Sequence, residues 1–150
     1  MNTVCVKRAA VLLVLLASTA TVVRAEEDDQ TTDYVLKGIN EFVDLNYDAA
    51  IADFTQAIAI NPHNVPAYTN RANAKYEKQD YDGAIEDATR IIELDPQDAT
   101  AYGIRATAKY DQGKYEQAIA DWQKEIELDP SHTSTPQTLI DQAQARLNQR

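Results

Sequence analysis

Few side chains in this sequence have the types and spacing that catalysis requires. A nucleophilic mechanism needs a nucleophile with a base beside it. The two histidines, His63 and His132, both closely follow a proline, in predicted loops where polar side chains are solvated. Downstream of Ala25 the chain has no cysteine and two serines, Ser131 and Ser134. This pattern is not typical of a catalytic site, and we expect a protein that is not an enzyme.

The chain also lacks the patterns that hold metals and phosphorylated cofactors. A metal site usually needs three or four ligands at close spacing, whereas the carboxylates here are spread over predicted helix surfaces. A phosphate-binding loop needs clustered glycines, and the four glycines of the 150 residues are scattered. We therefore expect no metal and no cofactor.

Basic and acidic side chains recur together at a spacing of 34 residues. The pairs are Lys37 with Asp53, Arg71 with Asp87, and Arg105 with Asp121. One interpretation is an ion pair within each repeat, which fixes the register of two helices. The other is that the arginines bind an anion in a groove. Because each basic residue has its own repeated acid, we favour the ion pairs.

Other residues follow the same period. Pro62, Pro96 and Pro130 are 34 residues apart, and the last two end the phrases IIELDP and EIELDP. A fixed period in this range indicates a repeat array. Tyrosines recur in the same register at Tyr34, Tyr68 and Tyr102, and again at Tyr47, Tyr81 and Tyr115.

Each repeat divides into two segments with helical periodicity. In the second repeat, VPAYTNRANAKYEKQ precedes DGAIEDATRIIEL, and both have apolar residues at three- and four-residue spacing. Asp82 lies in the short turn between them and is suited to cap the second helix. Pro96 ends that helix, because proline lacks an N–H group and disfavours helical geometry in the preceding residue.

These features resemble the tetratricopeptide repeat: a large aromatic, a small residue four later, an aromatic at the turn, an alanine three beyond it, and a terminal proline. The resemblance covers residues 31–64, 65–98 and 99–132. It implies an all-α fold, a right-handed α-solenoid of three helix-turn-helix units. Residues 133–150, with Thr135 as the predicted cap, have one apolar stripe and a polar face. They predict a C-terminal capping helix over the end of the stack.

The resemblance further implies a concave groove lined by the first helix of each unit. Phe42, Tyr76 and Tyr110 recur at one position there, and a ladder of such rings could contact a peptide. The alternative is that these rings pack between helices. We expect a protein or peptide partner in this groove. The predicted groove residues are Val35, Ile39, Phe42, Thr69, Asn70, Asn73, Tyr76, Thr107 and Tyr110.

Some members of this family hold the C-terminal carboxylate of chaperone peptides with a clamp of five polar side chains. The matching positions in this chain are Val35, Ile39, Asn70, Thr100 and Ile104. Only Asn70 agrees with the clamp, and its two lysines and its arginine are absent. By this resemblance, the chain is not a cytosolic chaperone adaptor of that kind.

The first 25 residues have the pattern of a secretory signal peptide. Lys7 and Arg8 precede an uncharged apolar run, and VRA stands before the acidic EEDDQ. We predict cleavage after Ala25, because the apolar run is shorter than the roughly 20 residues that span a bilayer. An uncleaved anchor is the alternative. Residues 26–30 are predicted to form an acidic, disordered leader.

Cleavage would make the protein more acidic. Three basic residues and no acidic residue leave with the signal peptide, so the net charge falls from −10 to −13. Such a surface repels phosphate backbones and anionic lipids. We therefore expect an exported protein, periplasmic or secreted, that binds neither nucleic acid nor membrane after signal cleavage.

Two functions are compatible with these features. The first is a non-catalytic scaffold that binds a protein or peptide in the concave groove. The second is a structural or assembly subunit that self-associates through its convex or end surfaces. A stable oligomer in light scattering would favour the second.

Overall fold

The computed structural model describes residues 28–149, and in this range the chain forms helices and short turns without a strand. The predicted signal peptide and residues 26 and 27 of the predicted leader lie outside the described residues. The all-α prediction is confirmed. The helices are α1 at 28–43, α2 at Tyr47–Ile60, α3 at Val65–Glu77, α4 at Tyr81–Leu94, α5 at Ala99–Asp111, α6 at Tyr115–Leu128 and α7 at Ser134–Leu147, with a 3₁₀ turn at Pro130–His132.

Consecutive helices pack against one another along the chain. From α2 to α7 each helix contacts the next, and α3 also contacts α5, the first helix of the following pair. Helix α1 packs on α2, where Ile39 and Phe42 lie against the buried Ala50 and Phe54. Contacts limited to near neighbours are those of a solenoid. None of the helices within residues 28–149 is long and apolar enough to cross a membrane.

The first helix of each pair ends in the same way. Leu45, Gln79 and Gly113 have positive φ values of 63°, 63° and 73°. The N–H of the residue that follows binds back to the helix, for example Asp80 N to the Lys75 carbonyl at 2.9 Å. This is the Schellman arrangement, in which the left-handed position favours glycine. This repeated turn reverses the chain direction, so that the second helix of each pair packs along the first.

The predicted cap of α4 is wrong by two residues. Helix α4 begins at Tyr81, so the residue before it, Asp80, is the one whose carboxylate accepts from Gly83 N at 3.0 Å. Asp82 lies inside the first turn instead. Its carboxylate accepts a hydrogen bond from Gln112 Nε2 of the next pair at 2.8 Å, so it links neighbouring repeats.

Both ends of the array also differ from their predictions. Residues 28–30, predicted as part of the leader, belong to α1, where Thr32 Oγ1 donates to the Asp28 carbonyl at 2.9 Å. Carboxylates near the amino end of a helix are stabilised by its dipole. At the other end, α7 begins at Ser134, and Thr135 therefore lies within the helix instead of capping it.

A small residue in each first helix lets the second helix approach closely. A Cβ atom at Gly38 would lie 2.6 Å from Phe54 Cε1. Ala106 is fully buried beside Trp122, and α7 covers that tryptophan with Ile140. Because α7 closes the core at this end, its amino-terminal turns stand beside α5.

Candidate partner-binding groove

A cavity of 620 Å³ opens between α3, α5, α6 and α7. We call it the α5 cavity, because α5 contributes most of its wall. Of the nine predicted groove residues, Asn73, Tyr76 and Thr107 line it. The other α5 residues in its wall are Ala99, Thr100, Gly103 and Ile104, and α7 contributes Thr135, Pro136 and Leu139.

The predicted residues Thr69 and Asn70 lie on α3 outside the wall of the cavity. Their side chains bond to their own helix, Thr69 Oγ1 to the Val65 carbonyl at 3.0 Å and Asn70 Nδ2 to the Pro66 carbonyl at 2.8 Å. Both are half-buried. Contact of these two residues with a partner stays a prediction.

Helix α1 carries the equivalent surface of the first pair, and there it is apolar. We call Val35, Leu36, Ile39, Phe42 and Val43 the α1 stripe; they recur at helical spacing. The predicted residues of this stripe, Val35, Ile39 and Phe42, are half-buried. Leu36 and Val43 are 55% and 70% exposed to solvent. The exposed apolar surface of the stripe is therefore that of Leu36 and Val43.

The recurring rings at Phe42, Tyr76 and Tyr110 pack inside their own repeats. Their centroids lie 5.4, 5.5 and 5.2 Å from the rings of the turn tyrosines. The turn tyrosines are Tyr47, Tyr81 and Tyr115. This is the alternative interpretation of the ladder, packing between helices. Tyr76 alone of the three also lines the α5 cavity.

The Tyr76 hydroxyl connects two repeats. It donates to the Asp111 carboxylate at 2.5 Å. Burial of the ring, and then this hydrogen bond, raise the pKa of the Tyr76 phenol above its ordinary range. Tyr76 therefore lines the cavity as a neutral side chain whose hydroxyl is already bonded to Asp111.

The predicted ion pairs are present. Arg71 binds Asp87 with Nε and Nη2, at 2.9 and 2.7 Å, and Arg105 binds Asp121 in the same bidentate way at 2.9 and 2.8 Å. Lys37 reaches its acid with one bond of 2.7 Å. That hydrogen bond raises the pKa of the Lys37 ammonium. The arginines are thus occupied by acids of their own repeats, as the favoured interpretation predicts.

Two lysines reinforce the second and third pairs. Lys75 lies 2.9 Å from Asp87, and Lys109 lies 2.8 Å from Asp121. Their side chains are 15% exposed, so they serve the ion-pair networks and do not line the α5 cavity.

The charged side chains among the described residues that line the α5 cavity are all acidic. They are Glu77, Glu125 and Asp129. The clamp positions Thr100 and Ile104 line the same cavity and are neutral. Within residues 28–149 no group of three histidine, cysteine or carboxylate side chains is arranged to hold a metal ion.

Sequence reasoning missed part of this surface. Leu36 and Glu77 stand beside the predicted Val35 and Tyr76, and extending the predicted positions by one residue would have found them. Gly103 lies one helical turn before the predicted Thr107. Glu125 comes from a second helix and Leu139 from the capping helix. The repeat pattern places neither of these in a groove, because it assigns the groove to first helices alone.

Sequence comparison agrees with this architecture. The tetratricopeptide repeat family model matches residues 36–99 and 69–133, which overlap and together span more than half of the chain. No curated protein sequence matches the chain.

Solved structures with the same arrangement come from several eukaryotes. The tetratricopeptide repeat domain of Arabidopsis OM64 aligns with a TM-score of 0.76 and 25% identity, over 79% of this chain and 98% of that one. The second such domain of human RPAP3, in complex with the HSP70 peptide SGPTIEEVD, gives 0.74 and 28%, over 79% and 98%. The TPR2B domain of yeast Sti1, in a pHsp70 complex, gives 0.69 and 26%, over 80% and 97%. With its stacked helix pairs, its repeat pattern and these matches, the chain belongs to the tetratricopeptide repeat family.

Proposed function

We propose that this protein is a non-catalytic scaffold that binds a protein or peptide partner along the α1 stripe and the α5 cavity. The observation that carries the proposal is the 620 Å³ cavity, which has apolar, aromatic and polar walls from four helices. The structurally similar domain of human RPAP3 is described in complex with an HSP70 peptide, and that of yeast Sti1 in a pHsp70 complex. Burial of such walls supplies affinity, and their few polar groups supply specificity.

The test is to block the cavity without disturbing the packing. Asn73→Arg with Thr107→Arg places two long side chains in the α5 cavity. Gln56→Arg with Gln117→Arg makes the same charge change on exposed residues of α2 and α6. Partners captured by residues 26–150 are identified by mass spectrometry. We expect the cavity variant to lose them and the control to retain them; equal capture by both variants would refute the groove as the binding surface.

A second candidate function is self-association through the amino-terminal end of the array. It is favoured by the exposed Leu36, Val43 and Leu45, the last of which is 69% exposed. Light scattering on residues 26–150 separates the two functions. A dimer that dissociates in Val43→Ser would support assembly, whereas a monomer at all concentrations would rule it out.

We also propose that the protein is exported and that residues 1–25 are removed. The support is the basic start, the apolar run and the small residues before Glu26. Intact mass measurement on protein recovered from a secreting host should give a chain beginning at Glu26. A mass that retains the apolar run would establish an anchor instead.

A further inference from the structure

We propose that α1 opens from α2 as a separate unit, while α2 to α7 stay folded, because α1 lacks several of the contacts that hold α3 and α5. The opening concerns α1 by itself and occurs with or without a partner. Its effect on partner binding is the one part that rests on the proposed function.

The ion-pair network of the first helix pair is incomplete. Asp53 on α2 is bound by Lys37 through one bond of 2.7 Å, and the Lys37 side chain is 63% exposed. The corresponding acid of the second pair is bound bidentately by Arg71 and again by Lys75, at 2.9 Å. At the position of Lys75 the first repeat has Glu41, whose charge has the same sign as that of Asp53. An exposed single bond stabilises little, so this pair holds α1 weakly.

One side of α1 also lacks the packing that α3 has. Helix α3 contacts α2, α4 and α5, and its Ala67 and Ala74 are fully buried. The residues of α1 at the same repeat positions are Asp33 and Asn40, and both are exposed. Polar exposed side chains contribute no apolar burial, so this side of α1 adds nothing to its attachment.

The turn between α1 and α2 is strained, whereas α2 is held from its other side. Leu45 in this turn has a φ of 63°, where the third repeat has Gly113. Left-handed geometry disfavours a residue with a Cβ atom, and detachment of α1 frees Leu45 from it. Helix α2 itself packs on α3, and Asp48 binds Lys78 at the end of α3. These contacts remain when α1 opens.

Opening uncovers the face of α2 on which α1 lies. Ala50 and Phe54 are 0% exposed there, and a Cβ atom at Gly38 would lie 2.6 Å from Phe54 Cε1. The α1 stripe leaves the groove at the same time. A partner that contacts both the stripe and the α5 cavity therefore binds the closed state, and the open population lowers its apparent affinity.

A single introduced thiol reports the opening, because residues 26–150 contain no cysteine. Ala50→Cys places the thiol under α1. Ala84→Cys and Ala118→Cys are matched controls, since the three alanines share one repeat position and are all 0% exposed. The rate of modification by N-ethylmaleimide is measured in native buffer for each variant of residues 26–150. We expect Ala50→Cys to react about a hundredfold faster than either control.

A second change restores the missing network. Lys37→Arg with Glu41→Lys gives the first repeat the basic residues that the second has at Arg71 and Lys75. We expect this change to slow the modification of Ala50→Cys about tenfold and to leave that of Ala84→Cys unchanged. Hydrogen exchange followed by NMR should show fast exchange for amides of residues 35–43 and slow exchange for amides of α2 and α5.

Three results would overturn the inference. The first is an equal modification rate at the three alanine positions, which would mean that α1 opens only when the whole array unfolds. The second is fast modification of Ala50→Cys that the added arginine and lysine do not slow. The third is equally fast exchange in α1 and α2, which would mean that the pair opens together. None of these results bears on whether the groove binds a partner, which the Asn73→Arg, Thr107→Arg variant tests.

Discussion

The Arg71–Asp87 pair provides the sharpest test of how the helix pairs are held together. The side chain of Asp87 is 4% exposed and that of Arg71 is 15% exposed. Arg71 also donates from Nη1 to Thr55 Oγ1 of the preceding repeat at 3.0 Å, and its guanidinium carbon lies 5.5 Å from the centre of the Tyr68 ring. Arg71→Met would therefore remove a bidentate charge pair and leave a buried carboxylate.

The loss of stability in Arg71→Met depends on the Asp87 carboxylate that stays buried without its arginine. Removing one partner of a buried ion pair costs about 3–5 kcal/mol, because the other charge stays buried. Lys75, 2.9 Å from the same carboxylate, offsets part of this cost. We expect Arg71→Met to lower the free energy of unfolding by about 3 kcal/mol. Lys37→Met should cost far less, because the Lys37 side chain is 63% exposed and makes a single bond.

Urea denaturation followed by circular dichroism measures these free energies, and a double-mutant cycle with Asp87→Leu isolates the pair. The Lys75 contact is lost both in Asp87→Leu and in the double variant Arg71→Met with Asp87→Leu, so its contribution cancels in the cycle. We expect a coupling energy of about 2 kcal/mol between Arg71 and Asp87. Coupling below about 0.5 kcal/mol, which is within additivity, or equal losses for Arg71→Met and Lys37→Met, would refute the reasoning.

Three other predictions concern single positions. Gln79→Gly should raise the free energy of unfolding by about 1 kcal/mol, because φ is 63° there and left-handed geometry strains a residue with a Cβ atom; an unchanged or lower midpoint in urea would contradict this. Gly38→Ala should lower it by about 1–3 kcal/mol, because the added Cβ would overlap the Phe54 ring; wild-type stability would show that the helices can separate at no cost. Tyr76→Phe should reduce the loss of stability in alkali. The pKa of Tyr76 in the folded protein is raised above the ordinary 10.0. This residue therefore stabilises the fold fully below pH 10, and its contribution is lost as the pH rises further. A titration of the phenols by ultraviolet absorbance checks it, and a Tyr76 that ionises in the ordinary range would disprove the Asp111 hydrogen bond.

Much of the fold could be predicted from local pattern. Helix pairs, their turns and the ion pairs repeat every 34 residues, and each depends on residues close in the chain or in the same hairpin. The small residue at Gly38 and its equivalents also follows from the pattern. Errors were confined to helix ends, such as Asp82 and Thr135, where one residue decides which side chain reaches the free N–H groups.

The candidate site was predicted less completely. Three of nine expected residues line the α5 cavity, and the rings of Phe42 and Tyr110 pack against the turn tyrosines of their own repeats. A ring at a groove position has the same periodicity whether it faces a partner or the neighbouring helix. Sequence periodicity therefore cannot decide between the two. The structure shows all three rings packed on the turn tyrosines and Tyr76 also in the cavity wall, and contact of the rings with a partner stays a prediction.

By itself, the sequence determined the all-α repeat architecture, the register of each helix pair and the acidic character of the chain, because these depend on local spacing and composition. Only the tertiary structure decided the charge of the cavity. Glu77 lies at the end of α3, Glu125 on α6 and Asp129 directly after α6, and they line one cavity because α3 and α6 both contact α5. No period in the chain encodes that packing, since it is set by the shapes of side chains such as Trp122 at the contact.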